Sequence, residues 1–268
     1  MNDSDFQANT ERFTGFAALY DEFRPSPPAL LADLLTQITR VSKPALVVDL
    51  GSGTGLSTRY WLGRAGKTVG IEPTDAMLEC AEFIGGNGIE YRKGFSHATG
   101  LPDDCAEIVT CSQALHWMDP LPTFQEVARI LKPGGVFVAL DYDFPPLTTS
   151  WETDLAYSEM DRIAGRLEIK HGVSDGLKRW DKSGHFGRMQ ESGCFRYVRE
   201  VVVQHIDKGN SERLVGLALS QGGVQSLLKA GLSEANIGID RLRELAETKL
   251  GPHPKLWFWS SRIRLGIV

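Results

Sequence analysis

The stretch Ala45-Leu46-Val47-Val48-Asp49-Leu50-Gly51-Ser52-Gly53-Thr54-Gly55 decides the fold. A short continuous apolar run suits a strand buried on both faces, the pattern of a parallel sheet. Glycines at every second position then let the backbone turn sharply and approach a ligand closely. Downstream, strand and helix alternate for about a hundred residues. Further strands are predicted at 68–72, 89–93, 106–111 and 136–142, with helices at 57–64, 75–83 and 121–131 between them. Turn signals punctuate the elements: Gly85-Gly86-Asn87-Gly88, Pro102-Asp103-Asp104 and Lys132-Pro133-Gly134-Gly135. Repeated βα units with right-handed crossovers predict a doubly wound, Rossmann-like, mostly parallel sheet.

The flanks read differently. Before the glycine loop, Phe13, Phe16, Ala17 and Tyr20 share a helical face until Arg24-Pro25-Ser26-Pro27-Pro28 breaks it, and an apolar helix follows over 29–38. After Phe144-Pro145-Pro146 the alternation stops. Residues 148–193 have amphipathic helical spacing interrupted by Gly165, Gly172, Gly176 and Gly184. A valine-rich strand is predicted at 197–206, helical material at 211–249 and a terminal strand at 255–267. The two late strands bring the sheet to seven and leave an inserted helical cap.

The 268 residues carry 29 Lys and Arg against 34 Asp and Glu, a net charge of −5, which does not support a basic nucleic-acid platform. No apolar run approaches the ~18 residues of a membrane span. The start, Met1-Asn2-Asp3-Ser4-Asp5, is acidic and unlike a secretory signal. Cys80, Cys105, Cys111 and Cys194 form no CxxC, so neither a zinc site nor a disulfide framework is implied. The expectation is a cytoplasmic protein, monomer or homodimer, without nucleic-acid or membrane partners.

The dinucleotide fingerprint G-x-G-x-x-G would require glycine at 56, where Leu56 stands. The pattern is instead D-x-G-x-G-x-G. An aspartate two residues before the first glycine suits a ligand with a cationic amino acid end better than a pyrophosphate. Glu72, at the end of the second strand and 21 residues after Gly51, stands where a ribose diol is held by bidentate hydrogen bonds. A plain tight turn and a surface glutamate are the alternatives; together the two motifs point to an adenosine ligand, with Met77 as an apolar neighbour of adenine.

Four motifs in order, Asp49 to Gly55, Glu72-Pro73-Thr74-Asp75-Ala76-Met77, Gln113-Ala114-Leu115-His116-Trp117 and Arg129 to Gly135, resemble the class I S-adenosylmethionine-dependent methyltransferases. More narrowly they resemble the branch of trans-aconitate and juvenile-hormone-acid methyltransferases. The resemblance covers about residues 10–145. It implies S-adenosylmethionine as cofactor, with Gly51, Ser52, Gly53 and Gly55 around its methionine part, Asp49 near its amino group, and Glu72 with Pro73 at the ribose. Tyr20 and Arg24 match the branch's Tyr-x-x-x-Arg-Pro lead-in, which folds over the cofactor. The family's Ala-Glu near adenine is replaced by Ser96-His97. It further implies a helical lid at 1–40, a cofactor-binding core at 41–147, a cap insertion at 148–195, and strands and helices at 196–268 that complete sheet and cap.

Methyl transfer is an in-line displacement, so alignment supplies much of the rate. A carboxylate needs no base, whereas a hydroxyl or ammonium must lose a proton. Gln113, His116 and Trp117 are the expected acceptor walls and positioning groups, joined by Tyr142; His116 as a base or as a structural residue is the alternative. Asp119, Asp141 and Asp143 could suggest a metal, but no ligand motif surrounds them and none is expected. The nucleic-acid amino-methyltransferase motif, Asp/Asn-Pro-Pro-aromatic after the fourth strand, is missing, and Trp257-Phe258-Trp259 fits core better than base stacking. O-methylation of a carboxyl or hydroxyl on an apolar metabolite is the simplest reading. N- or C-methylation and non-catalytic cofactor binding are alternatives, and a nicotinamide enzyme is opposed by Leu56.

Overall fold

In the computed structural model, residues 6–268 are described; the acidic start at 1–5 lies outside them. Parallel strands β1 (Leu46–Leu50), β2 (Lys67–Glu72), β3 (Ile89–Lys93), β4 (Ala106–Ser112) and β5 (Leu131–Tyr142) form most of one seven-stranded sheet. β6 (Tyr197–Gly209) and β7 (Lys255–Ile267) complete it in the order β3-β2-β1-β4-β5-β7-β6, with β7 antiparallel to both neighbours. Strand order reverses between β1 and β4, and in open α/β sheets ligands bind beyond the carboxyl ends of the strands at such a point.

Val47, Val48 and Leu50 of β1 are fully buried, because helices cover both faces of the sheet. One face packs on α6 (Pro120–Ile130), the other on α3 (Leu30–Thr39) and α4 (Leu56–Arg59), and α5 (Asp75–Ile84) packs along β2 and β3. The helix expected at 57–64 shortens to α4: Gly63 sits at φ +75° and the chain turns under the buried Trp61. The turn expected at 132–135 is instead a bulge within β5, where Ala106 pairs with Leu131 but Ile108 pairs with Val136.

The N-terminal helical face is two short helices, α1 (Gln7–Arg12) and α2 (Ala17–Phe23), divided at Gly15, φ +86°. α7 (Trp151–Lys170) runs through Gly165 unbroken, Ser150 capping it by accepting from the Thr153 backbone N–H. Residues 171–181 are irregular, and α8 (His185–Glu191) packs against the sheet beside β6, with Met189 in the same core as Phe137. Between β6 and β7 lie α9 (Ser211–Leu219), α10 (Gly222–Lys229), α11 (Glu234–Ile237) and α12 (Ile239–Lys249). With α7 they enclose a second core around Tyr157, Leu214 and Leu242, capped by Trp257 and Trp259 from β7. Those two tryptophans are core residues, and Phe258 between them is exposed. Among the described residues, no helix is long and apolar enough to cross a membrane.

Candidate active site

The glycine loop crosses the end of β2, where Gly51 and Ser52 both donate backbone N–H to the Ile71 carbonyl, at 2.8 and 3.1 Å. Gly51, Gly53 and Gly55 all have positive φ (63°, 55° and 87°), a region L side chains rarely enter. Their surroundings separate their roles. A side chain at Gly53 would meet no protein atom within 4 Å and would enter the open cleft. At Gly51 it would strike Ala114 and Met118, and at Gly55 the Tyr91 hydroxyl. Gly53 and Gly51 line the cleft; Gly55, at the start of α4, serves close packing instead of the expected cofactor contact.

Asp49 departs from its expected place beside the amino group. Its fully buried carboxylate accepts from Ser57 Oγ (2.6 Å), Thr58 Oγ1 (2.7 Å) and Thr110 Oγ1 (2.8 Å). Burial pushes its pKa up while these hydroxyls pull it back. It therefore ties the loop's exit to β4. Glu72 does face the cleft. Its Oε2 accepts from the Gly53 N–H and its Oε1 from the Thr74 N–H, each at 2.9 Å, so the acid pins the loop it faces. Burial raises its pKa too, opposed by these same donors.

The main cleft holds about 810 Å³ of open space, mouth included. Pro73, Thr74, Met77, Ser96 and His97 line its Glu72 end. Ser96 Oγ shares a 2.8 Å hydrogen bond with Thr123, and His97 stacks on Phe95. Gln113, Ala114, Trp117 and Met118 form another wall, lined also by Asn9, Thr10 and Phe13 from the N-terminal segment, while Phe6 packs beside Phe95 and His97. A smaller compartment beside the glycine loop is lined by Ser52, Leu56, Ser57 and Tyr142, and it shares Tyr20 and Gln113 with the main cleft.

Arg24 lies outside both compartments. Its Nε and Nη2 donate to Ser220 Oγ and O, both at 2.8 Å, and its guanidinium covers the rings of Tyr20 and Phe144. It fastens α2 to the end of α9, and Tyr20 alone of that pair reaches the cleft. His116 also misses the walls. It is buried behind Trp117, ring centroids 4.8 Å apart, with its carbonyl accepting from Trp180 N at 2.9 Å. Burial first, then the charges of Lys182, Arg179, His185 and Arg12, hold its imidazole well below the usual histidine range. A neutral ring off the cleft is a packing group, not the expected acceptor wall.

Trp117 is edge-on to Phe13 and carries two guanidiniums, Arg12 at 5.6 Å and Arg179 at 5.4 Å from its ring. Asn9, missed in the sequence, clamps this end. Its Nδ2 donates to the Lys178 and Trp117 carbonyls (2.7 and 3.3 Å), and its Oδ1 accepts from Lys178 N (3.0 Å). Lys182 was missed as well; it donates to Gln113 Oε1 at 2.6 Å. No local spacing could have signalled either contact. Both oxygens of Asp141 are taken, by Lys182 (2.8 Å) and Arg264 (2.7 Å). Among the described residues, no group of three or more His, Cys, Asp or Glu could hold a metal ion.

Residues 48–139 match the model of the methyltransferase domain. Over 124 residues the chain is 33% identical to an uncharacterized methyltransferase of Mycobacterium bovis, covering 46% of this chain and 49% of that protein. A candidate methyltransferase of Dictyostelium discoideum is 26% identical over 150 residues, 56% of each chain. The chain thus spans about half the length of these relatives. In fold it is similar to a candidate type II methyltransferase of Anaeromyxobacter dehalogenans, with a TM-score of 0.64, 19% identity, and coverage of 91% of this chain and 98% of that one. The glycine loop, Glu72 and Gln113 fall inside the segment that is similar to the methyltransferase domain.

Proposed function

We propose that this chain transfers a methyl group from S-adenosylmethionine to an oxygen of a small apolar metabolite, most simply a carboxylate, as the trans-aconitate and juvenile-hormone-acid branch does. The observation that carries the cofactor is the cradle at Gly53, open to the cleft and facing Glu72. Glu72 and Met77 would hold the adenosine, and Gly51, Gly53 and Ser57 the amino acid end, with Ser96 and His97 near the base. The cofactor supplies an electrophilic methyl on a sulfonium.

The acceptor reading rests on what stands near Trp117. The imidazole of His116 lies behind the wall. Glu72 is held by two backbone donors, the N–H groups of Gly53 and Thr74. Asp119 stands on the same wall; an acceptor that is already anionic needs no base, and the guanidiniums on Trp117, of which Arg12 is paired with Glu168, suit one. The chain's task is then alignment and exclusion of water by Phe6, Phe13 and Trp117. Incubation with isotopically labelled S-adenosylmethionine and panels of apolar acids, alcohols and amines tests this. Label in a product that alkali releases as methanol marks a methyl ester; an alkali-stable product moves the reading to ether, N- or C-methylation.

A further inference from the structure

The two compartments of the cleft meet at Tyr20, Gly51, Gly53, Ser112 and Gln113. On the cofactor reading above, on which this inference rests, adenosine fills the main compartment and the amino acid end the smaller one. The sulfonium then lies at the junction, against Gln113.

Gln113 is held there unusually firmly. Its backbone sits at φ +54°, uncommon for a residue other than glycine, and its N–H donates to the Leu140 carbonyl at 2.8 Å. Its carboxamide can face only one way. The oxygen must meet the Lys182 ammonium, which only donates, and the nitrogen donates to the Tyr142 carbonyl at 3.1 Å, which only accepts. Behind it Lys182 pairs with Asp141 at 2.8 Å. Asp141 pairs with the buried Arg264 at 2.7 Å, and Arg264 lies 2.8 Å from Glu200 at the sheet edge. The signs alternate outward from the cleft.

We propose that Lys182 and Asp141 form a charge-balanced brace behind the point of methyl transfer, Lys182 fixing the Gln113 carboxamide and Asp141 cancelling the ammonium that would otherwise repel a sulfonium. Both are positioning residues. The local net charge then sets how the site ranks cationic S-adenosylmethionine against its neutral-sulfur product, S-adenosylhomocysteine. Balance lets the site hold the donor without repelling it and release the product without gripping it.

The test is the ratio of the two affinities, measured by calorimetry on the full chain. Taken within one protein, the ratio cancels general loosening of the fold. Lys182→Met removes a positive charge and should raise the preference for S-adenosylmethionine on the order of tenfold, whereas Asp141→Asn should lower it by a similar factor. Lys182→Arg should restore the wild-type ratio. Glu200→Gln, two links farther out and partly exposed, should move it less than twofold. Ratios within twofold of wild type in both Lys182→Met and Asp141→Asn, with both ligands still bound, would overturn the brace. Should Asp141→Asn not fold, Lys182→Met against Lys182→Arg decides alone. Failure of the wild-type chain to bind either ligand would overturn the cofactor reading and the brace with it.

Discussion

At the Glu72 end of the cleft the wall comes mainly from two short stretches, 51–53 and 72–77, with Gly94 to His97 closing it. At the Trp117 end it comes from residues 9–13 and 113–119, braced by Lys178 to Lys182 through Asn9, Gln113 and the His116 carbonyl. The first end works through backbone: positive-φ glycines, two N–H groups on Glu72, and a strand end. The second works through long side chains, Arg12, Arg179 and Lys182, that converge from distant positions. A ligand common to a family can be held by backbone and short spacing, whereas a particular acceptor needs side chains that vary freely in sequence.

Gly53→Val tests that contrast most severely. The new side chain has room in the protein but occupies the cleft, so S-adenosylhomocysteine binding should fall at least a hundredfold, while the positive φ costs about 1–2 kcal/mol of stability. Gly55→Val should do the opposite, unfolding the protein at lower temperature through its clash with Tyr91. Calorimetry and thermal melts on both variants check this; equal behaviour would erase the difference between the two glycines.

Glu72→Ala should weaken cofactor binding by about 1.5–3 kcal/mol, roughly ten- to a hundredfold, because a charge-assisted contact and the pin on Gly53 are lost together. NADH should not compete in the same titration. Comparable NADH affinity would return the loop to the dinucleotide class.

At the other end the effects shrink. His116→Gln should lower turnover tenfold or less, with a flat rate between pH 6 and 8 in both proteins, since the ring is already neutral there. Loss of a thousandfold with cofactor affinity intact would make it a general base. The stability signature has a definite sign. Burial depresses the His116 pKa in the folded state, so its contribution is present above the ordinary histidine range and is lost as pH falls below about 6.5. The drop in Tm from pH 7 to pH 5 should therefore be smaller in His116→Gln. Some drop should remain, because burial also lowers His185, to about 4. The smallest expected effect is none: chelation of divalent metal should leave turnover unchanged, Asp141 being engaged by two cations. Activity lost to chelator and restored by magnesium would show otherwise.

The sheet was legible because each of its strands is a local pattern. The apolar run into Gly51, the acid closing β2 and the turns between βα units are each read from a few consecutive residues. Gly53, Glu72 and Met77 were singled out by such local motifs and Ser96 by the family resemblance, and all four line one cleft. Locality misled where a motif residue turned inward: Asp49 is taken by Ser57, Thr58 and Thr110, and Arg24 by Ser220. Periodicity states which positions alternate or repeat, not which neighbour a polar head meets.

By itself the sequence determined the alternation of strands and helices, the positive-φ loop and the acid at the end of β2, since backbone stereochemistry and hydrophobic period act over a few residues. Only the tertiary structure decided that Lys182 and Asp141 would stand behind Gln113 and that Asn9 would clamp the Trp117 end. The Lys182–Gln113 and Asn9–Lys178 contacts join positions 69 and 169 residues apart. They exist only once burial of the sheet and cap has made up the entropy of bringing such distant segments together.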